Sequence, residues 1–262
     1  MTDQTVGTPE ALYPDDSLAL HTDKYQINMT QVYWQDGIHD RKAVFEVYFR
    51  KIPFQNGYAV FAGLERLVRY LQDFRFSDSD LAFLKEDGYP DEYLDYLRTL
   101  RFTGTVRSMR EGELVFANEP MLRIEAPLAE AQLIETAVLN IVNFQTLIAT
   151  KASRIKQVVG DETTMEFGTR RAQELDAAIW GTRAAFLAGF DATSNVRAGK
   201  LFDIPTAARM PMRWSRRTAT STPPSANMPS AIPTACFWWT RTIRCAPGSR
   251  RRSRLRRNSA IG

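Results

Sequence analysis

Two adjacent arginines, Arg170 and Arg171, follow a short strand-like segment at residues 164–167 in the run EFGTRRAQ. A planar guanidinium group binds the oxygens of a phosphate or a carboxylate through two parallel hydrogen bonds. In α/β barrels, the residues that do chemistry follow the carboxyl ends of strands, which is where this pair would stand. Arginine pairs are usually only solvated surface charges, but this position favours a site for a phosphate-bearing substrate.

A second candidate site is the segment 191–195, which lies between a predicted strand and a predicted helix. The unpaired N–H groups at the start of a helix bind phosphate oxygens, and the side chains of Ser194 and Asn195 add a hydroxyl and an amide. Ser194 alternatively serves only as the N-cap of that helix, and the two roles are compatible. The segment therefore predicts a phosphate or ribose site.

Neither of the two histidines, His21 and His39, is predicted to act in catalysis. His21 stands near the start of the first predicted helix and His39 lies in a polar turn, so we expect both to be solvated loop residues. The sequence assigns no catalytic residue and no metal site.

The first of the elements that must position these side chains is a helix that follows Thr22, a suitable N-cap, and ends at Gly37. Tyr25, Met29 and Val32 recur at i, i+4 and i+7 and predict its apolar face.

Further elements are predicted from hydrophobic periodicity, helix caps and turn residues. Strands are predicted at 43–49, 58–63, 104–109, 113–117 and 121–125. Four helices are predicted: one at 64–73, one that begins after the cap Ser77, one that begins at Pro90 and one at 128–158. Beyond Gly160, the pattern alternates: strand 164–167, helix 174–188, a short strand near 189–190 and helix 194–200. Alternation of this kind predicts parallel βα units.

The pattern therefore predicts an α/β protein in four parts. A flexible N-terminus, 1–16, precedes an N-terminal α+β domain, 17–130, and the opening part of an α/β barrel, 131–206. Closing a parallel barrel takes about eight βα units, so the barrel is expected to be truncated. From 207 to 262 no apolar periodicity remains, and we expect a disordered basic tail.

Charge is divided unequally along the 262 residues. The first 206 residues hold all 30 acidic residues and 22 of the 34 basic ones, a net charge of −8, whereas the last 56 hold 12 arginines and no acid. Such asymmetry is typical of a nucleic-acid-binding arm or of an appended foreign segment.

Cysteine usage and the N-terminus indicate the compartment. Both cysteines, Cys236 and Cys245, lie in the basic tail, so the main body carries no disulfide framework. The acidic N-terminus is unlike a secretory signal, and the longest uncharged stretch of the main body's apolar part, 136–150, is too short and too polar to span a bilayer. We expect a cytoplasmic protein without a membrane segment.

Several motifs, in order and at their spacing, resemble nicotinate phosphoribosyltransferase over residues 17–206: TDKYQ, the run AVFEVYFRKIPFQNGYAVFAGLE, EFGTRRAQ and GFDATSN. This resemblance implies an N-terminal α/β domain, an irregular α/β barrel and a homodimer that shares its active sites between subunits. It also implies the substrates nicotinate and phosphoribosyl pyrophosphate, the product nicotinate mononucleotide for NAD synthesis, and a requirement for ATP and Mg²⁺.

The resemblance also implies roles for individual residues. Phe167 and Tyr25, the latter from the partner subunit, would hold the pyridine ring of nicotinate between their faces. Read without the family, Phe167 is a buried strand aromatic and Tyr25 a residue of the helix core face. Arg50 and Lys51 resemble a basic pair that family members use near the phosphates.

The sequence departs from the family after GKLF-x-IP. There the family continues with Gly-Thr-x-Ala-His, whose histidine is phosphorylated by ATP, whereas this chain has alanine at 207 and 208 and then RMPMR at 209–213. Met-Pro and Met-Arg are encoded by ATG-CCN and ATG-CGN. Read one base earlier, the second codon of each pair becomes GCC or GCG, and both of these encode alanine. With C as the preceding base, the shifted reading is Gly-Thr-His-Ala-His-Ala.

A second stretch supports a shifted reading frame. Phe237, Trp238, Trp239 and Thr240 require TTY-TGG-TGG-ACN, which one base earlier encodes Leu-Val-Asp for either Phe codon. Family members carry Leu-Val-Asp-Thr-Tyr-Asp-Thr at about this distance. Our hypothesis is that one nucleotide was lost at the codons of Ala207 and Ala208. The alternatives are a genuine nucleic-acid-binding tail and an inactive protein that pairs with intact subunits.

The hypothesis predicts the nucleotide sequence. We expect the gene to encode, one base out of frame from Ala207 onward, the continuation of a nicotinate phosphoribosyltransferase that includes the phosphorylated histidine. Sequencing across these codons tests the prediction. An uninterrupted reading frame, together with related genes that carry the same arginine codons, would show that the tail is native.

Overall fold

A computed structural model describes residues 17–208. The predicted flexible N-terminus, 1–16, and the predicted basic tail from 209 onward, with its cysteines and tryptophans, lie outside the described residues. Within them, seven α-helices and seven strands follow the predicted order. The helices are α1 Lys24–Gln35, α2 Leu64–Gln72, α3 Asp78–Glu86, α4 Asp91–Thr99, α5 Leu128–Val159, α6 Glu174–Leu187 and α7 Val196–Phe202.

The strands form three small sheets. Their bounds are β1 Lys42–Val47, β2 Ala59–Val60, β3 Thr105–Ser108, β4 Leu114–Val115, β5 Leu122–Pro127, β6 Met165–Glu166 and β7 Ala192–Thr193. Strand β5 lies between β1 and β3, and β2 pairs with β4, all antiparallel. Strands β6 and β7 are parallel, and Thr193 also bridges in parallel to Thr206. The predicted fold class is confirmed: an antiparallel α+β part precedes parallel βα units.

Helix α5 connects the two parts. Its N-terminal half packs in the main core with α1 and the β1–β5 sheet, and its C-terminal half packs against α6. The hydroxyl of Thr150 accepts the N–H of Val60 at 2.9 Å, and that of Thr146 accepts the N–H of Ala62 at 3.2 Å. Two side chains one helical turn apart therefore satisfy backbone N–H groups of β2 and of the residues directly after it.

Helix α5 is also, among the described residues, the one helix long and apolar enough to span a membrane. Fifteen of its residues are buried inside the protein, including five polar or charged ones, Glu130, Gln132, Gln145, Thr146 and Thr150. A core helix of this length passes the same test, so its hydropathy is explained by packing.

The predicted apolar face of α1 is wrong. Tyr25, Met29 and Val32 are exposed, while Gln26 and Thr30 are fully buried against α5. The cause is the polar surface that α5 presents at this level. The amide of Gln26 donates to Glu135 at 3.0 Å and its oxygen accepts from Gln132, so the polar side of α1 faces inward.

Three smaller boundaries also differ from prediction. The N-cap of α1 is Asp23 rather than Thr22, because the Thr22 hydroxyl donates to the carbonyl of Leu133 at 3.2 Å instead. The strand expected near 189–190 lies at β7, because Gly189, with φ +97°, continues the turn after α6. Helix α7 is capped by Asn195, whose side chain accepts the N–H of Ala198, and not by Ser194.

A partly buried ion pair joins α6 to the N-terminal part. Both oxygens of Glu111 accept from the guanidinium of Arg183, at 2.9 and 2.6 Å. The same carboxylate accepts the N–H groups of Gly63 and Leu64 at the start of α2, at 2.7 and 3.0 Å. Burial alone would raise the pKa of Glu111, but the guanidinium and the two N–H groups outweigh it and hold that pKa below its usual value.

We expect Glu111→Gln to lower the free energy of unfolding by about 3 kcal/mol at pH 7, because it leaves the Arg183 charge partly buried and unpaired. Since the folded-state pKa of Glu111 is depressed, its contribution is complete at neutral pH and is lost as pH falls below the ordinary carboxyl value of 4.5.

Urea unfolding at pH 7 and pH 4 tests this expectation. Glu65→Gln is the matched control, since Glu65 pairs with Arg69 on an exposed helix face and should change stability by about 0.5 kcal/mol or less. Equal effects of the two substitutions would contradict the role given to Glu111.

Candidate functional site

Five of the predicted site residues, Phe167, Arg170, Arg171, Ser194 and Asn195, follow the carboxyl ends of β6 and β7. Glu166 of β6 is aligned with Thr193 of β7, and the N–H of Ser194 donates to the carbonyl of Glu166 at 3.0 Å. Because the strands are parallel, Phe167 and Ser194 leave the sheet at the same edge. A short 3₁₀ turn, Thr169–Arg171, follows Phe167 and places Arg170 and Arg171 beside this edge, both exposed.

A cavity of about 230 Å³ adjoins this edge, between α5, α6 and the loop after β1. Of the predicted site residues, Arg171 lines it, together with Gly168 of the same turn. Phe54 and Phe144 supply aromatic walls, and Lys151 and Glu166 add a cation and a carboxylate. This composition suits a small aromatic or apolar group that carries negative charge.

Phe54 contributes to the cavity through an unusual backbone. It lies in the 3₁₀ turn Pro53–Gln55 with φ +62°, a left-handed conformation that is costly for a bulky side chain. Lys151 lies 5.9 Å from the centre of its ring, and Arg154 donates to its carbonyl at 3.2 Å. Two cations of α5 therefore hold the turn over the cavity.

Arg50 and Lys51 stand at the beginning of this same loop, and both side chains are exposed. They do not line the cavity. Phe54, three residues after Lys51 in the same loop, forms part of the cavity wall.

Ser194 and Asn195 differ in their surroundings. Asn195 is buried; its amide oxygen accepts from Ala198 at 3.0 Å and its amide nitrogen lies 3.5 Å from the carbonyl of Ala178. That side chain is engaged in capping α7 and in contact with α6. Ser194 is half-exposed at the strand end, so its hydroxyl is the more accessible of the two.

Tyr25 lies far from this edge within one chain. Its hydroxyl accepts from Gln26, which also donates to Glu135 near the start of α5. The pKa of Tyr25 is raised, first by loss of solvation and then by the charges of Glu135 and Asp23. Glu135 and Lys151 are sixteen residues apart on one helix, about 24 Å along its axis. A role for Tyr25 at the cavity therefore requires a second copy of the chain.

The two histidines differ from each other. His21 is exposed, as expected. His39 is instead half-buried, with its ring 5.1 Å from that of Tyr96 in an edge-to-face contact. Neither histidine lies at the edge formed by β6 and β7. Over residues 17–208, no group of three or more His, Cys, Asp or Glu side chains could hold a metal ion.

Phe54, Lys151 and Glu166 line the cavity but were not predicted from the sequence as site residues. Phe54 follows a proline in a loop, Lys151 lies within a long apolar helix, and Glu166 is a charged residue in a short strand. Phe54 and Lys151 carry no local signal. Glu166 carries one, since a charged residue inside a predicted buried strand requires a partner.

Comparison with known proteins gives consistent similarities. Residues 20–143 match the N-terminal domain of nicotinate phosphoribosyltransferase. A protein of Bacillus subtilis with that name is 66% identical over 196 residues, 74% of this chain and 40% of its own length. A Caenorhabditis elegans protein of the same name is 46% identical over 191 residues, 71% of this chain and 34% of its own.

Solved structures give a similar result. A crystal structure of human nicotinic acid phosphoribosyltransferase has a TM-score of 0.70 and 38% identity, covering 78% of this chain and 42% of the human one. A nicotinate-nucleotide pyrophosphorylase from Pyrococcus furiosus, with a TM-score of 0.62 and 23% identity over 77% of this chain and 44% of its own, is similar in fold. The chain spans 40% of the length of the Bacillus subtilis relative and 34% of that of the Caenorhabditis elegans relative, and less than half of each of the two solved structures.

Proposed function

Since the aligned part of the chain belongs to the nicotinate phosphoribosyltransferase family, we propose that it represents the first part of an enzyme that joins nicotinate to phosphoribosyl pyrophosphate. The product would be nicotinate mononucleotide, used in NAD synthesis. The observation that carries this proposal is the 66% identity to a nicotinate phosphoribosyltransferase over 196 residues. The edge at which Phe167, Arg171 and Ser194 converge supports it.

The chemistry fits the residues at this edge. The nitrogen of the nicotinate ring attacks the anomeric carbon of phosphoribosyl pyrophosphate, the carbon–oxygen bond breaks, and pyrophosphate leaves with the bonding electrons. Phe167 would stack on the ring, and the Ser194 hydroxyl would donate to the nicotinate carboxylate or to the ribose. Arg170 and Arg171 would stabilise the phosphate charges that develop on the leaving group, with Arg50 and Lys51 adding positive potential.

The proposal includes a homodimer, because Tyr25 is too far from Phe167 of its own chain and could contact only the Phe167 of a second copy. Tyr25, Met29 and Val32 form an apolar stripe on α1 that is 38–51% exposed. Burying this stripe against a second subunit would be favourable. In the dimer, Tyr25 of one subunit would complete the stack on Phe167 of the other.

We propose further that ATP and Mg²⁺ serve the full-length enzymes, and that this chain has lost the coupling. Phosphoryl transfer to the enzyme needs an imidazole nucleophile, and RMPMR stands where the family has its histidine motif. The described residues contain no cluster that fits a metal ion, so no step is assigned to Mg²⁺ here.

The proposed frameshift agrees with the extent of the similarity. The relatives align over 190 to 196 residues, close to the length of the segment 17–206, and the remaining quarter of the chain lies outside the alignment. A nucleic-acid-binding function has only the arginine-rich tail in its favour.

We expect the 262-residue chain to form no nicotinate mononucleotide in an ATP-stimulated manner and to yield no acid-labile phosphoenzyme. The measurement is a synthesis assay with nicotinate, phosphoribosyl pyrophosphate, Mg²⁺ and ATP. Restoring one base at the codons of Ala207 and Ala208 should produce both signals, provided that the downstream gene is intact.

The restored gene is the positive arm of this experiment. If it encodes the family's continuation yet shows no synthesis, the proposed function is wrong. If the 262-residue chain itself shows ATP-stimulated synthesis, the proposed loss of coupling is wrong.

A further inference from the structure

Glu166, the last residue of β6, is a buried carboxylate whose described partners are all neutral. It is 7% exposed. One oxygen accepts the N–H of Gly168, and the other lies 2.9 Å from the hydroxyl of Thr182 and 2.8 Å from that of Thr193. Its hydrogen bonds thus reach the turn after β6, helix α6 and the end of β7.

Each of these partners adjoins part of the candidate site. Gly168 directly follows Phe167, and its N–H bond to the Glu166 side chain spans the backbone of Phe167. Thr193 directly precedes Ser194, and its hydroxyl also accepts the N–H of Asn195 at 3.0 Å. One carboxylate therefore bonds to the residue that follows Phe167 and to the residue that precedes Ser194.

Stability alone does not account for a carboxylate at this position. Removing a carboxylate from water is costly, and two hydroxyls and one amide compensate only in part. An apolar side chain could fill the same space between β6, β7 and α6 without that cost. What an apolar side chain could not do is accept hydrogen bonds from three separate elements at once, and so fix their spacing.

We propose that Glu166 is a positioning residue, which fixes Phe167 and Ser194 relative to each other at the ends of β6 and β7 so that both can contact one pyridine carboxylate. This inference rests on the proposed function for the identity of the ligand. It adds a role for a residue that does not itself contact the reacting atoms.

The test uses the 262-residue chain and two measurements. Nicotinate affinity is measured by calorimetry, and hydrogen exchange is followed at the Gly168 and Ser194 amides. Glu166→Gln keeps the shape but places an amide N–H₂ where an acceptor is needed. We expect it to weaken nicotinate binding at least tenfold and to speed exchange at both amides at least tenfold.

Thr193→Val should produce a smaller change in the same direction, and Thr193→Ser, which restores the hydroxyl, should behave as the unaltered chain.

The matched control is Thr150→Val, which also removes a buried hydroxyl that accepts a backbone N–H. It should lower the unfolding midpoint without changing nicotinate affinity or exchange at Gly168 and Ser194. If Thr150→Val weakens nicotinate binding as much as Glu166→Gln at a similar loss of stability, Glu166 has only a structural role and the proposal is wrong.

The two measurements separate this inference from the proposed function. If the unaltered chain binds no nicotinate but Glu166→Gln speeds exchange at both amides, the ligand is wrong while the positioning role stands. If exchange at Gly168 and Ser194 is unchanged in Glu166→Gln, the positioning role is overturned whatever the chain binds.

Discussion

The ion pair between Glu111 and Arg183 connects the two parts of the molecule on which the candidate site depends. Its carboxylate caps the start of α2 and lies in the turn between β3 and β4, while its guanidinium comes from α6. Arg66 of α2 also pairs with Asp176 of α6 at 2.8 Å and lies over the ring of Trp180. These contacts keep α6 against the N-terminal part and so hold the cavity between α5 and α6.

Within that frame, the site is built from short elements. Phe167 and Ser194 each directly follow a two-residue strand, and a seven-residue helix comes after the second strand. Elements of this length have few backbone hydrogen bonds of their own, so side-chain bonds must determine their spacing. The bonds that Glu166, Thr182 and Thr193 make have this function, in the way that Thr146 and Thr150 satisfy the edge of β2.

A feature of the fold or the site could be predicted from the sequence where the residues that determine it are neighbours along the chain. The cap at Ser77 is a local signal, and the structure has the full capping box there, with Asp80 bonding back to the Ser77 N–H. The inward face of α1 was mispredicted because the polar residues Gln132 and Glu135, more than 100 positions later, decide it. The edge joining Phe167 to Ser194 followed from strand–helix alternation, whereas the Phe54 wall depends on a loop conformation that no periodicity encodes.

The central claim is that the described part of the chain carries a preformed half of a nicotinate site, with Phe167 as the stacking surface. Nicotinate affinity of the Phe167→Ala chain, measured by calorimetry against Phe186→Ala, tests it most directly. Phe186 lies on α6 with 39% of its surface exposed and is the control for loss of an aromatic ring. We predict that Phe167→Ala weakens binding about tenfold, equivalent to about 1.4 kcal/mol, while Phe186→Ala leaves it unchanged. Equal affinity of the two variants would contradict the claim.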